Sequence, residues 1–287
     1  LAQFQMPANV SPPPLKPIIT LFTTFKPNPK RLAIYKATIR NWQTLGPGVR
    51  PVLYSEPNDT FDTMITPYAN QHGWTVLPVP KVNEFKTPYV NHMYMDAEER
   101  FESEFYAYAN GDILFDQGLV SSLRVIRKKL PDDRVLVIGR RVNYELKNYT
   151  HVPYSTIKEF HDKEKEIAHK VKWGLTEAID FFITRRGRFS WNDMAHVVVG
   201  RGGYDAYILF FALYRDNSTI INIQNTARAY HLQAKNWELS HRKDPDKDTH
   251  FNVHSIRQKE KRVRKVWAVG SLNAARLKTI FEKESNI

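Results

Sequence analysis

From Ile18 onward, short runs of β-branched and aromatic residues alternate with longer stretches of helical periodicity. That alternation restricts the chain to an α/β sheet with parallel pairs and right-handed crossovers. Ile18-Ile19-Thr20-Leu21-Phe22-Thr23-Thr24-Phe25 reads as a buried first strand, broken by Pro27-Asn28-Pro29. Residues 30–45 carry Leu32, Ile34, Tyr35, Ile39 and Trp42 at helical spacing, and Gly46-Pro47-Gly48 stops them. A strand at 50–54, a helix at 60–72 ending at Gly73, and a short strand at 74–77 continue the pattern. Further along, 88–103, 116–130, 155–172 and 204–214 read as helices. Residues 105–109, 134–139, 178–184, 219–223 and 227–231 read as strands. The polar segment 240–256, with Asp244, Asp246 and Asp248 among Lys and His residues, reads as a loop or lid.

The 287 residues, 42% hydrophobic and 25% charged, suffice for a sizeable core and exclude the disordered class. No stretch of about 18 apolar residues offers a membrane-spanning helix. The chain contains no cysteine, which removes disulfides, cysteine nucleophiles and cysteine-ligated zinc. Residues 1–17, with Ser11-Pro12-Pro13-Pro14, read as an extended leader or stem. A start at Leu1 rather than Met leaves room for a membrane anchor outside the chain. The leader and the sequons at Asn58, Asn148 and Asn217 point to an ER or Golgi lumen, whereas the lack of cysteine points to the cytoplasm. A net charge of +12 favours an anionic partner. Part of it lies in the run Arg257–Lys265, read as a solvated helix face or a nucleic-acid or membrane contact.

Five places carry candidate chemistry. Asn110-Gly111-Asp112 follows the buried strand at 105–109, where a carboxylate can hold Mg²⁺ or Mn²⁺ on the two phosphates of a nucleotide. Gly111 would let the backbone approach that ligand. Thr23 and Thr24, ending the first strand, offer hydroxyls to a nucleobase or ribose. Arg140-Arg141 follow the strand at 134–139 and suit bidentate phosphate contacts. Gly200-Arg201-Gly202-Gly203-Tyr204-Asp205 opens the apolar helix, with Asp205 as a helix-start charge or a general base. His231, ending the last strand, offers an imidazole to a metal. Each of these also has an ordinary structural reading, as turn, strand residue, solvated pair, helix start or surface histidine.

Taken in order, the motifs resemble the GT-A glycosyltransferase superfamily, and within it a branch of nucleotide-sugar glycosyltransferases. They are Phe22-Thr23-Thr24-Phe25-Lys26-Pro27, Asn83-Glu84-Phe85-Lys86-Thr87-Pro88, Asn110-Gly111-Asp112-Ile113, Gly139-Arg140-Arg141, the Gly200–Asp205 stretch and His231-Leu232-Gln233, and they span residues 18–235. The resemblance implies a single GT-A domain at 18–240, a mostly parallel central sheet flanked by helices. A polar loop and basic helical segment at 241–287 would pack on it. It implies Asp112 and His231 as ligands of Mn²⁺ or Mg²⁺, with Asn110 on the ribose where the superfamily usually has an acid. Asp205 would be the base, and Asp180 the reserve for base or acceptor binding.

The implied reaction is inverting transfer from a nucleoside diphosphate sugar, UDP-sugar favoured, to a hydroxyl of a glycan or other glycoconjugate acceptor. Arg140 and Arg141 would assist the metal on the leaving diphosphate. A nucleotidyltransferase on the same fold would need a glycine-rich phosphate loop with a basic residue after the first strand, and that combination is absent. A nucleic-acid-binding protein fits the charge, but no binding-module signature occurs, so no nucleic-acid partner is expected. A catalytically inactive, lectin-like relative is hinted at by Asn110 alone.

Overall fold

The computed structural model describes residues 16–56, 61–146, 172–173, 179–200, 202–234 and 247–260. Most of the leader, the helix expected at 155–172 apart from its last residue, Lys172, which lies in a strand, Arg201, the sequons Asn58 and Asn148, Asp244, Asp246 and the basic run beyond residue 260 lie outside them.

The strands, in chain order, are β1 (Ile19–Thr24), β2 (Val49–Ser55), β3 (Thr75–Pro78), β4 (Phe105–Ala109), β5 (Ile113–Phe115), β6 (Val135–Ile138), β7 (Arg141–Leu146), β8 (Lys172–Trp173), β9 (Phe181–Arg185), β10 (Thr219–Asn222) and β11 (Ala229–Ala234). The helices are α1 (Leu32–Gln43), α2 (Asp62–Gln71), α3 (Val90–Arg100), α4 (Gly118–Lys129), α5 (Tyr204–Tyr214) and α6 (Lys247–Lys259). Seven strands form the main sheet in the order β10-β6-β9-β4-β1-β2-β3. All its pairs are parallel except those made by β9, which runs against β4 and β6. The expected mostly parallel α/β sheet is therefore present. A second sheet, β5-β11-β7-β8, sits beside it.

Side chains on successive strand positions leave opposite faces, and the chain uses both. On one face Ile19, Leu21, Phe105, Ala107, Val135, Val137, Phe181 and Ile183 pack with the apolar sides of α1, α2 and α4. On the other, Phe22, Tyr106, Tyr108, Leu136, Ile138 and Phe182 pack with α3, α5 and Ile256 of α6. A sheet covered on both sides needs strands apolar on both faces, which is why β4, β6 and β9 are buried at every position. Helix α5 is apolar on all sides because it is buried nearly throughout. No helix among the described residues is long and apolar enough to cross a membrane.

Helix α1 positions the candidate site. On one of its faces Thr38 Oγ1 donates to the Gly111 carbonyl (2.9 Å) and the Trp42 indole to that of Ile113 (2.9 Å). Asn41 brackets Phe115, donating to its carbonyl (3.0 Å) and accepting from its amide (2.8 Å). These buried polar contacts fix the 111–115 backbone by direction as well as distance.

The loop or lid expected at 240–256 is corrected over its described part: residues 247–259 form α6. Its buried positions Asp248, Asn252 and Ile256 recur every fourth residue and share one face. Two of the three are polar, so apolar periodicity does not reveal the helix. Asp248 accepts from Asn83 Nδ2 (2.8 Å) and Thr87 Oγ1 (2.7 Å). Asn252 accepts from the Val198 amide (2.7 Å) and donates to its carbonyl (3.1 Å). The Asn83–Pro88 motif is thus a turn, closed by Asn83 Oδ1 accepting from the amides of Phe85 and Thr87, that docks α6.

Candidate active site

Ligands of an open α/β sheet bind beyond the carboxyl ends of its strands. Strands β1, β4 and β6 end there with Thr24, the Asn110 turn and Arg140-Arg141. Because β9 is antiparallel, its beginning comes to the same edge, and Asp180 immediately precedes it. The Asn110 amide donates to the Asp180 carbonyl at 2.9 Å. Strand β11 pairs with β7 and β5, bringing His231 opposite Asn143 and Ile113. The Leu232 amide then donates to the Asp112 carbonyl at 3.0 Å.

Two groups of side chains result. In the first, Asp112, 8% exposed, meets His231 and a residue that the sequence motifs did not mark, Arg31. The Arg31 guanidinium donates through Nη2 to Asp112 Oδ2, and His231 Nε2 lies 3.3 Å from the same oxygen. Burial pushes the Asp112 carboxyl up. The charges and hydrogen bonds of His231 and Arg31 outweigh it and hold the group well below the usual carboxylate range. Asp112 Oδ1 and His231 Nδ1 are buried without a hydrogen-bond partner among the described residues.

The second group centres on Asp180. Its Oδ1 accepts from Asn110 Nδ2 and its Oδ2 from Arg141 Nη1, both at 2.7 Å. Asn110 Oδ1 accepts from the hydroxyls of Tyr108 (3.1 Å) and Tyr204 (3.3 Å). Asp205 is partly exposed in the first turn of α5, behind Gly203, whose φ of 95° is a left-handed conformation that glycine adopts without strain. Burial pushes the Asp205 carboxyl up to about 7, the Ala206 amide that it accepts from opposes this, and the charge of Asp180 adds to it.

Asn110 is therefore committed to Asp180 and two tyrosines in this arrangement. An acid here would face Asp180 at hydrogen-bond distance. Asn110→Asp is expected to lower stability by about 1–3 kcal/mol, more at pH 8 than at pH 5, because a second carboxylate ionises as pH rises. Urea denaturation at both pH values checks this, and wild-type stability at pH 8 refutes it.

Gly111 also has a steric reason within the chain. A Cβ there would lie 2.4 Å from Phe25 Cδ1 and 3.2 Å from the Thr24 carbonyl oxygen. The space beside it is filled by the Phe25 ring, stacked on Tyr35 with centroids 4.4 Å apart. Gly111→Ala is expected to cost about 1–3 kcal/mol in urea denaturation, and Phe25→Leu in the same chain to restore part of it. An additive loss in the double variant would remove Phe25 as the cause.

Of the remaining expected residues, Thr23 is wholly buried and donates through Oγ1 to the Thr24 carbonyl (3.3 Å), while Thr24 is partly exposed. Arg140 is partly exposed at the end of β6, beside Arg141. Arg31 had a readable signal. Lys26-Pro27-Asn28-Pro29-Lys30-Arg31 carries three cations and no acid directly after β1. The prolines make the segment a strand breaker, and its charge is the second signal it carries.

No protein-family model and no curated protein sequence matches the chain. Among solved structures it is similar to residues 1–349 of S. aureus TarS in complex with UDP-GlcNAc, at 13% identity over 88% of this chain and 71% of that one, with a TM-score of 0.48. The same TarS fragment in complex with UDP gives 11% identity over 88% and 72%, with a TM-score of 0.43. A further TarS crystal structure gives 11% over 85% and 43%, with a TM-score of 0.45.

Proposed function

We propose that the chain is a glycosyltransferase, moving a sugar from a nucleoside diphosphate sugar, UDP-sugar favoured, to a hydroxyl of a glycan or glycoconjugate, with inversion. One observation carries this reading. Residues far apart in sequence converge on one sheet edge as two groups, a cation-bearing acid (Arg31, Asp112, His231) and an acid-rich group (Asp180, Asp205), joined by the Asn110-Gly111-Asp112 turn. Leaving-group departure needs positive charge on the diphosphate side, and attack needs a base on the acceptor side. Asp205 takes the proton of the acceptor hydroxyl. The freed oxygen forms its bond to the anomeric carbon from the face opposite the diphosphate, which leaves with the electrons of the broken bond. Asp180, oriented by Asn110 and Arg141, keeps Asp205 from ionising too readily and is the reserve residue for acceptor binding.

A divalent cation, Mn²⁺ or Mg²⁺, would take Asp112 and His231 as its protein ligands. As arranged, this donor set does not fit one. Arg31 holds Asp112 Oδ2, the oxygen nearest His231, and among the described residues no three His, Asp or Glu side chains gather as a metal site. No step is therefore routed through a metal.

The test is a transfer and donor-hydrolysis assay over UDP- and GDP-sugars, beginning with UDP-GlcNAc, the ligand of the TarS complex. The anomeric configuration of the product is read by NMR. Turnover of one donor with inversion is expected. A retained product removes Asp205 from its role, and no turnover of any donor overturns the reading.

A further inference from the structure

We propose that Arg31 is the cation that binds the diphosphate of the donor, so that donor binding needs no divalent metal. This rests on the glycosyl-transfer reading above. Four observations point to it. First, Arg31 ends the 3-10 turn Pro29–Arg31 that leaves β1 and opens α1, at the sheet edge where ligands of this architecture bind. Second, its guanidinium already holds one of the two Asp112 carboxylate oxygens, Oδ2, with His231 Nε2 3.3 Å from that oxygen. Third, the side chain is held: it is 13% exposed, and its guanidinium carbon stands 5.5 Å from the centroid of the Tyr35 ring. Fourth, it closes a loop that adds Lys26 and Lys30 and has no acid.

The chemistry is consistent with this placement. A guanidinium presents five N–H donors in a planar fork that matches phosphate oxygens, and it stays charged at any working pH. Asp112 then acts as a positioning residue that aims the fork. A metal on Asp112 Oδ2, the oxygen that faces His231, would have to evict the guanidinium and leave a largely buried cation without that acid, which is unfavourable. His231, on the same oxygen, limits the swing of the Asp112 carboxylate.

Calorimetric titration with UDP and with GDP, in EDTA and in Mn²⁺, tests this on the wild type, Arg31→Lys and Arg31→Gln. Because Arg31→Gln leaves Asp112 without its partner, Arg31→Gln combined with Asp112→Asn serves as the variant without an unpaired buried charge. Wild type is expected to bind one of the nucleotides in EDTA, with less than about a twofold change in Mn²⁺. Loss of the guanidinium is expected to weaken that binding about tenfold or more, in both the single and the double variant, with Arg31→Lys recovering part. Binding by the wild type that requires Mn²⁺, or undiminished binding by the folded double variant in EDTA, overturns the role of Arg31 and leaves the glycosyl-transfer reading standing. Absence of binding in both buffers, together with absence of donor turnover, overturns both.

Discussion

Asp205→Asn is expected to lower kcat/KM about 10²–10⁴-fold, the range contributed by a positioned general base. The wild type is expected to gain activity as pH rises through about 7, where burial has moved the Asp205 carboxyl, because only the carboxylate accepts the acceptor's proton. The variant should lack that limb. The same shift has a consequence for stability with a definite sign. A carboxyl whose folded pKa lies above its unfolded value favours the fold only while protonated. Its contribution is fully present below about pH 4 and is lost as pH rises toward 7. Asp205→Asn should therefore melt above the wild type at pH 8 and close to it at pH 4. Melting curves at the two pH values check this independently of any substrate. A pH–rate profile unchanged by the substitution would remove Asp205 from the reaction even if the melting curves behave as described.

Asp112→Asn has the second large effect, of opposite pH sense. It removes the acid from a buried pair and leaves the Arg31 guanidinium beside His231 without that acid. Breaking a buried pair from one side costs about 3–5 kcal/mol. Because Arg31 and His231 hold the Asp112 carboxyl below its ordinary range, its contribution is present above about pH 4 and is lost as pH falls further. The stability gap between wild type and variant should be smaller at pH 3 than at pH 7, as read by urea denaturation. With the fork of Arg31 no longer aimed, UDP affinity should fall about tenfold. Wild-type stability at pH 7 together with wild-type UDP affinity would show that Asp112 organises nothing.

Much of this fold is legible in the residues. Strands apolar at every position, such as Phe105–Ala109, announce burial on both faces, and α5 announces itself by apolarity without a polar side. The direction of a strand leaves no mark in its composition, so the reversal of β9 is invisible in Phe181–Arg185, and with it the arrival of Asp180 at the edge. The turn at Asn110 and the residues Asp112, Asp205 and His231 were visible as chemistry, because acids and imidazoles at strand ends and helix starts are few. Their grouping was not visible, since it depends on β11 entering between β5 and β7. Arg31 is hidden in the sequence for the reason that makes it useful: it lies in a proline-punctuated loop, where charge normally means only solvent exposure. Helix α6 is hidden because its buried face is polar, with Asp248 accepting from the side chains of Asn83 and Thr87 and Asn252 bonding the main chain of Val198, and such a face has no apolar period to read.

Asn252 also does something for the architecture that packing alone would not. Tyr89 and Val198 form an isolated antiparallel bridge, flanked by bonds from the Val90 amide to the Val197 carbonyl (3.0 Å) and from the Val199 amide to the Pro88 carbonyl (3.1 Å). The amide and carbonyl of Val198 itself face the other way, where a further strand would normally continue the ladder. A single carboxamide takes both. It imitates the two bonds that one residue of an adjoining strand would make, and it belongs to a helix, which cannot be extended sideways. The ladder is thereby terminated from within the chain, and its last edge is closed to recruitment by another molecule.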